Sequence, residues 1–370
     1  MKRKICFVSL GSLPLLTSNE NLKYMGGAEL MQVLIGNELT KKGYNISFIT
    51  YNEEGERRKN FKNINLIKTY SSSHHINYFK KATCLWEALN KANAYIYIQS
   101  GGVRGLVALY CFIKRRKYIK WIASDKNVLL EGIDNKTTMS TKITLYIDIK
   151  FANLIIAQNI FQKQIIEQKY HKKCIIIKNP IPIQNKKNFL QKKNKEKIVL
   201  WIGTIRPIKQ PEIFLEIALR LPKFNFKMIG GKSESEPELY DKIQKKVKNI
   251  PNLDFVGFVP YNMINTFYEE SSIFVNTSKA EGFPNTFLEA FINFLPVISL
   301  NVDPDEIICK NNIGLHSKTF QQIVKDIFSL LNNDNLRNEM SIRARKYVEE
   351  NHDLKKITDQ FEKLLISFET

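Results

Sequence analysis

The chain has 370 residues and a hydrophobic content of 44%, which is enough to form the buried cores of two globular domains. No apolar stretch approaches the ~20 residues that a membrane-spanning helix needs, and the apolar residues 5–10 are interpreted as a first strand rather than a signal peptide. The five cysteines lack metal-binding spacing and are predicted to be reduced, buried thiols of a cytoplasmic protein.

The net charge of +20 is unevenly distributed along the chain. Residues 1–180 contain 29 Lys and Arg but 12 Asp and Glu, whereas residues 198–370 contain 21 and 23. A basic half joined to a nearly neutral half predicts that the first half meets an anionic partner, such as lipid headgroups, nucleic acid or an acidic substrate.

Short β-rich runs alternate with helix-length segments along the first half. A helix is predicted over residues 28–42, because its apolar residues recur at helical spacing and Gly43 follows it. The predicted strands are continuous apolar runs: residues 4–10, 45–50, 64–69, 94–99, 118–123, 154–157 and 174–178.

The second half repeats the alternation after a polar, basic linker at residues 181–197. Strands are predicted at residues 198–202, 226–229, 253–256, 273–276 and 297–300. Helices are predicted at residues 211–220, 236–248, 261–270 and 286–294, and the tail 336–370 is predicted to be helical in two stretches around Asp353.

Apolar strands that alternate with helices are typical of parallel sheets covered on both faces. The sequence therefore predicts two doubly wound, Rossmann-like α/β domains, residues 1–180 and 198–370, whose last helices return to the first domain. Ligands of such sheets bind at the carboxyl ends of the strands, so the cleft between the domains is the predicted site.

Two carboxylates stand eight positions apart, at Glu281 and Glu289. Glu281 follows a predicted strand, and Glu289 lies one turn inside a predicted helix. A strand, a polar loop and a helix N-terminus present backbone N–H groups to an anion, whereas ionised carboxylates accept hydrogen bonds from hydroxyl groups. The segment predicts a ligand that carries both a diphosphate and sugar hydroxyls.

A second loop follows the first strand of the second half and contains Arg206 and Lys209. Cations at the carboxyl end of a strand suit the clamping of a diphosphate. In the first half, Gly26 and Gly27 precede a predicted helix and are interpreted as a loop that approaches phosphate. The sequence shows no dinucleotide-binding glycine motif and no P-loop, and His316 and His352 are interpreted as isolated.

Together these motifs resemble those of family 4 glycosyltransferases, retaining nucleotide-sugar-dependent enzymes of the GT-B fold. Glu281 and Glu289 match the family's motif of two glutamates separated by seven residues, and Gly203 and Lys209 match its donor loop. Five other segments are similar to further landmarks of the family, in the same order along nearly the whole chain: residues 26–29, 175–180, 226–231, 252–257 and 295–298.

The resemblance implies a role for each matched residue. Glu281 would contact the hydroxyls of the donor sugar, Glu289 would hold the ribose, and Lys209 would neutralise the diphosphate without a metal. The donor-binding residues implied in this way are Gly26, Gly27, Gly203, Gly282, Phe283, Pro284, Asn285, Thr286, Phe287 and Glu289.

Two positions depart from the family pattern. Thr204 stands where many members have an arginine, and Arg206 is the nearest cation that could replace it as a catalytic residue. Ser124 and Asp125 stand where many members have a histidine, whose role does not carry across to them. Asp125 is predicted to contact the donor or the acceptor, and both residues are assigned to acceptor binding.

The sequence therefore predicts a metal-independent hexosyltransferase that uses a UDP- or GDP-linked sugar and no cofactor. Its acceptor would be a glycan or a lipid-linked hydroxyl in cell-surface polysaccharide or glycolipid synthesis. The basic first half predicts peripheral attachment to the inner face of the cell membrane. Two alternatives stay open: the same fold with another reaction (a nucleotide-sugar 2-epimerase or a glycogen-type synthase), and a basic nucleic-acid-binding protein.

Overall fold

The computed structural model describes residues 3–17, 26–53, 60–72, 77–101, 105–125, 128, 138–183, 197–233 and 235–367. It divides into two compact units, one of Met1–Pro180 with Leu354–Thr370 and one of Ile181–Asp353. The last helix therefore belongs to the first unit, although the chain reaches it from the second. Most of the predicted linker, residues 184–196, lies outside the described residues.

The first unit contains an eight-stranded sheet in the order β3-β4-β2-β1-β5-β6-β7-β8. Every neighbouring pair is parallel except β3 with β4. Its strands are β1 (Lys4–Val8), β2 (Asn45–Thr50), β3 (Asn60–Phe61), β4 (Ile64–Lys68), β5 (Ile96–Gln99), β6 (Lys117–Trp121), β7 (Leu154–Ala157) and β8 (Cys174–Ile176). Seven of these strands are the predicted ones, and the two-residue β3 is an addition.

Helices cover both faces of this sheet, because its strands are apolar on both sides. In β1, Ile5 and Phe7 face one core while Cys6 and Val8 face the other. Helices α1, α2 and α14 bury side chains in the first core, and α3 to α6 bury theirs in the second. The helices are α1 (Leu13–Thr17), α2 (Gly27–Lys41), α3 (Tyr78–Ala92), α4 (Leu106–Ile113), α5 (Met139–Lys150), α6 (Ile160–Tyr170) and α14 (Leu354–Ile366).

The second unit contains a six-stranded parallel sheet in the order β11-β10-β9-β12-β13-β14. Its strands are β9 (Ile198–Ile202), β10 (Asn225–Ile229), β11 (Leu253–Gly257), β12 (Ile273–Asn276), β13 (Val297–Ser299) and β14 (Gly314–His316). Its helices are α7 (Pro211–Arg220), α8 (Pro237–Val247), α9 (Asn265–Glu270), α10 (Asn285–Ile292), α11 (Ile307–Asn311), α12 (Phe320–Asn332) and α13 (Asp334–Asn351). The predicted break in the tail near Asp353 separates α13 from α14.

A buried ion pair lies near the carboxyl ends of β5 and β6 in the first unit. Lys120 Nζ donates to Asp148 Oδ2 over 2.8 Å, and both side chains are almost fully buried. Asp148 Oδ1 also accepts hydrogen bonds from the backbone N–H of Gly105 (2.9 Å) and the hydroxyl of Tyr118 (3.1 Å). The carboxylate therefore joins β6 to the start of α4.

We expect that Asp148→Asn lowers the free energy of unfolding by about 3–5 kcal/mol, because it leaves the Lys120 charge buried without a counter-charge. The double variant Lys120→Met with Asp148→Asn should lose less stability than Asp148→Asn alone. Urea denaturation of the wild type, the single variants Asp148→Asn and Lys120→Met, and the double variant gives this cycle. Additive losses would contradict a coupled pair.

Candidate active site

The loop after β9 carries two of the predicted site residues. A 3-10 turn at Pro207–Lys209 and the start of α7 at Pro211 shape this loop, because proline is pre-set for the first position of a helical turn. Between them, Gln210 adopts a left-handed backbone conformation with φ 48°. The end of β10 passes close to the same loop, since a Cβ on Gly230 would lie 2.2 Å from the Gly203 carbonyl oxygen.

The loop after β9 is fastened to the loop after β12. The Thr277 hydroxyl accepts a hydrogen bond from Trp201 Nε1 (2.9 Å) and donates to the Lys209 carbonyl oxygen (2.8 Å). The backbone N–H of Lys279 donates to the Ile208 carbonyl oxygen over 2.8 Å. These bonds fix the backbone from which the Lys209 side chain extends.

Lys209 and Glu281 form an ion pair at the junction of these two loops. Lys209 Nζ donates to Glu281 Oε2 over 2.7 Å, and the other oxygen, Oε1, accepts from the Ser278 hydroxyl (2.6 Å) and from Asn276 Nδ2 (2.9 Å). The two side chains keep 25% and 14% of their surface exposed, respectively. The pair is therefore held from several sides but still reaches solvent.

The environment of Glu281 favours its ionised form. Burial alone would raise the pKa of Glu281, but the Lys209 charge and the hydrogen bonds from Lys209, Ser278 and Asn276 hold that pKa below its ordinary value. Glu281 is therefore a carboxylate at neutral pH, and it can accept hydrogen bonds from hydroxyl groups but cannot donate one.

Helix α10 begins directly after this pair. Pro284 occupies its N-cap position and makes no side-chain capping bond, so the positive end of the helix dipole lies a few residues from Glu281. The buried ring of Phe283 packs against the buried ring of His352, with centroids 5.1 Å apart. His352, interpreted as isolated from the sequence, thus supports the predicted donor-binding loop.

Glu289 lies one turn further along α10 and lines a separate cavity of about 320 Å³. The Tyr268 hydroxyl donates to Glu289 Oε2 over 2.7 Å, and the Tyr261 hydroxyl also bonds this carboxylate. Burial raises the pKa of Glu289 to about 7, against the lowering effect of both tyrosine hydrogen bonds. The remaining wall is formed by Ile181, Pro182, Asn262, Ile264, Asn265, Ile292 and Asn293.

Arg206 extends away from Glu281 and towards the end of β10. Its Nε donates to the Ser233 hydroxyl over 3.2 Å. The structure thus places Lys209 on the β12 side of the loop and Arg206 on the β10 side. The predicted equivalence of Arg206 to the family arginine stays a prediction.

Four of the predicted residues belong to the first unit, two at the start of α2 and two after β6. Gly26 is the N-cap residue of α2 and Gly27 its first residue, with no side-chain capping bond. Ser124 and Asp125 follow β6, and Asp125 Oδ1 accepts hydrogen bonds from Gln162 Nε2 (2.9 Å) and Asn159 Nδ2 (3.4 Å). One oxygen of the Asp125 carboxylate is therefore already hydrogen-bonded within the protein, and acceptor binding by Asp125 stays a prediction.

One group of side chains could hold a metal ion among the described residues. The ligand atoms of Asp303, Cys309 and His316 lie within 4.8 Å of one another, so interpreting His316 as isolated was wrong, as was interpreting every thiol as buried, since Cys309 is exposed. The Asp303 carboxylate, however, already accepts the backbone N–H groups of Ile308 (2.8 Å) and Cys309 (3.3 Å). These hydrogen bonds cap the N-terminus of α11.

Sequence reasoning missed several side chains that define the site. Asn276 and Ser278 lie within five residues of Glu281, and their small polar side chains between strand and helix were the available signal. Tyr261, Tyr268 and His352 gave none, because their contacts with Glu289 and Phe283 join segments that are distant in sequence.

Comparisons with known proteins give the family that this part of the chain resembles. Residues 182–347, which include Lys209, Glu281 and Glu289, match the family described as Glycosyl transferases group 1. An uncharacterized glycosyltransferase of Haemophilus influenzae is 24% identical over 361 residues, 93% of this chain and 98% of that protein. These matches support a glycosyl transferases group 1 domain in the second unit.

Two further proteins extend the comparison. An α-1,4-N-acetyl-D-galactosaminyltransferase of Campylobacter jejuni, named for an undecaprenol-linked GalNAc glycan, is 25% identical over 187 residues, 48% of this chain and 51% of that protein. The structure of HepE from Anabaena with UDP and glucose superposes with a TM-score of 0.76 at 14% identity, covering 99% of this chain and all of that one. The predicted fold class, two Rossmann-like domains of the GT-B type, is confirmed.

The raised pKa of Glu289 predicts that donor binding depends on pH. If Glu289 accepts hydrogen bonds from the ribose, only its ionised form gives charge-assisted bonds. The KM for the donor should therefore rise by up to about tenfold as the pH falls from about 8 to about 6. Glu289→Gln should flatten this dependence, and initial rates at several pH values measure it.

Protein stability provides an independent check on that pKa. Because the pKa of Glu289 is raised from 4.5 to about 7, the native state binds more protons than the unfolded state between these values. The free energy of unfolding should therefore fall as the pH rises through this window. Denaturant titration should show a smaller fall in Glu289→Gln, and an equal fall in both proteins would contradict the assignment.

Proposed function

We propose that this protein is a retaining glycosyltransferase that moves a sugar from a nucleotide diphosphate sugar to a hydroxyl group. The observation that carries the proposal is the Lys209–Glu281 ion pair, which stands at the carboxyl ends of β9 and β12 and directly before α10. It combines a cation for the diphosphate with an ionised acceptor for sugar hydroxyls. No cofactor is needed for this chemistry.

The reaction separates charge at the donor. The bond between the anomeric carbon and the phosphate oxygen breaks, its electron pair stays on the leaving diphosphate, and the acceptor oxygen bonds to the anomeric carbon on the same face. The acceptor proton passes to a leaving-phosphate oxygen. Lys209, Arg206 and the N-terminus of α10 would stabilise the growing negative charge.

The two glutamates would hold different parts of the donor. Glu281, with its low pKa, would accept hydrogen bonds from the sugar as positive charge develops on the ring. Glu289 would bind the ribose beside Tyr261 and Tyr268. The UDP-bound relative of the same fold supports a UDP-linked sugar, with a GDP-linked sugar as the second candidate.

The acceptor is proposed to be a glycan or a lipid-linked hydroxyl in cell-surface polysaccharide or glycolipid synthesis. The Campylobacter jejuni enzyme, which matches about half of this chain, is named for an undecaprenol-linked glycan. The excess of basic residues in the first 180 positions suits an anionic acceptor or membrane. Ser124 and Asp125 are the proposed acceptor contacts, and attachment to the inner face of the cell membrane is proposed to be peripheral. Among the described residues, no helix combines the length and the apolar character needed to cross a bilayer.

Three other functions can be distinguished from this one by simple assays. A 2-epimerase would convert a nucleotide sugar without any acceptor, which product analysis detects. A nucleic-acid-binding protein would show strongly salt-dependent binding to DNA, but it would give no role to the ionised Glu281 beside a phosphate-binding loop. A glycogen-type synthase would extend a glucan with repeated units of one sugar.

The function is tested first at Glu281. Glu281→Ala should lower kcat by on the order of a hundredfold or more, as loss of one preorganised transition-state contact does. A screen of nucleotide sugars for a raised melting temperature identifies the donor, and that donor is then used to measure kcat.

Lys223→Ala is a matched control, because it removes a long charged side chain from an exposed position outside the site. It should keep the wild-type kcat. If no nucleotide sugar raises the melting temperature, or if Glu281→Ala keeps the wild-type kcat, the proposal is wrong.

We also expect transfer without a metal ion. In this proposal Lys209, Arg206 and the N-terminus of α10 would neutralise the diphosphate, which is the work of a metal in other enzymes. Activity should therefore be unchanged after dialysis against EDTA. Complete loss of activity that Mn²⁺ or Mg²⁺ restores would contradict this assignment.

A further inference from the structure

Helix α5 presents a stripe of apolar side chains to solvent. Met139, Ile143 and Tyr146 are 74%, 52% and 47% exposed, and their spacing of four and three residues places them on one face of the helix. Lys150 continues the stripe, and its ammonium group lies 5.6 Å from the centre of the Tyr146 ring. The opposite face of α5 is buried in the core of the first unit.

Helix α4 presents a second apolar stripe. Leu109, Phe112 and Ile113 are 41%, 63% and 55% exposed, and they too share one helix face. Burying such side chains is favourable, and contiguous exposed apolar surface marks interaction sites in soluble proteins. Neither stripe is explained by the proposed transfer reaction.

The two stripes lie on neighbouring helices. A Cβ on Gly105, which precedes α4, would lie 3.4 Å from the Thr144 carbonyl oxygen of α5. At the other end the rings of Phe112 and Phe151 are 4.7 Å apart. Both helices bury their inner faces in the same core, so their apolar stripes face away from the sheet side by side.

Cations accompany both stripes. Lys114 and Arg115 follow α4, and Lys142 and Lys150 belong to α5; all four are at least partly exposed. The only acid in residues 105–117 and 138–153 is Asp148, which is buried against Lys120. The surface is thus apolar at its centre and positive at its margin.

We propose that the α4–α5 face, defined by Leu109, Phe112, Ile113, Met139, Ile143 and Tyr146, inserts into the headgroup region of an anionic bilayer. The apolar side chains enter the boundary of the acyl chains while the lysines and arginines contact lipid phosphates. This inference deepens the proposed peripheral attachment and does not depend on the transfer reaction.

Charge selects the bilayer over a second copy of the chain. A symmetric dimer through this face would bring the same cations of two copies together, and like charges oppose such a contact. An anionic lipid surface instead attracts each of them.

The test exchanges apolar side chains at constant charge. The triple variant Phe112→Gln, Ile113→Gln and Ile143→Gln is compared with a matched control in the second unit, Leu219→Gln, Phe328→Gln and Ile342→Gln. The control residues are 56%, 50% and 49% exposed. Both proteins are floated with phosphatidylglycerol–phosphatidylcholine vesicles and with pure phosphatidylcholine vesicles.

We expect the wild type and the control to bind the anionic vesicles equally and to be released as salt increases, while the α4–α5 triple variant binds at least about tenfold more weakly. Phe112→Trp should be quenched by brominated lipids more than Phe328→Trp. Equal vesicle binding by the triple variant and the wild type, or equal quenching at both positions, would overturn the proposal. So would a wild-type dimer in lipid-free solution that the triple variant converts to a monomer.

The circular dichroism spectra and melting temperatures of both triple variants establish that they are folded before binding is compared. The nucleotide-sugar thermal-shift assay is run on the same samples. A chain that binds vesicles but no nucleotide sugar would retain this inference and lose the proposed reaction. The reverse result would retain the reaction and remove the membrane face.

Discussion

The hydrogen-bonded ion pair between Lys209 and Glu281 is the interaction on which the candidate site depends. It joins the loops after β9 and β12, which are neighbours in the sheet although 72 residues separate the two side chains in sequence. The parallel sheet brings both loops to one edge, and the hydrogen bonds of Thr277 fix their backbones. The cation and the ionised carboxylate are therefore in contact while both side chains remain partly exposed. A fully buried pair would have no surface left with which to bind a ligand.

Two carboxylates lie at the first part of α10, Glu281 just before the helix and Glu289 within it. Their surroundings shift their pKa values in opposite directions. Glu281 has a lysine and two small hydrogen-bond donors around it, so its pKa is lowered. Glu289 is buried, and the hydrogen bonds that lower its pKa come from two uncharged tyrosine hydroxyls, so its pKa is raised to about 7. A cation offsets the cost of removing a carboxylate from water, whereas neutral donors offset only part of it. At neutral pH Glu281 is therefore ionised, whereas Glu289 is only partly ionised, although both are glutamates eight positions apart.

The strands were largely predictable, because a strand covered on both faces is a continuous apolar run. The site was predictable where its residues are close in sequence, as Glu281 is to the start of α10. The three-residue strand β14 was not predicted, because Gly314 and His316 do not form such a run. Glycine is needed at position 314, because a Cβ there would lie 1.9 Å from the Val297 carbonyl oxygen. The contacts of Tyr268 with Glu289 and of His352 with Phe283 could not be predicted, since they depend on how distant helices pack.

Charge and hydropathy carry different kinds of information in the first unit. The excess of lysine and arginine is visible from composition alone, but composition cannot say whether those cations share a face with anything else. The spacing of Met139, Ile143, Tyr146 and Lys150 is visible in the sequence as well, yet an apolar stripe at helical spacing usually faces a core. In α5 the core instead takes Leu145, Asp148 and Ile149, and Asp148 can be buried because Lys120 provides its counter-charge. The buried face of α5 therefore contains a charged residue together with its counter-charge, while the apolar stripe of Met139, Ile143 and Tyr146 lies on the exposed face.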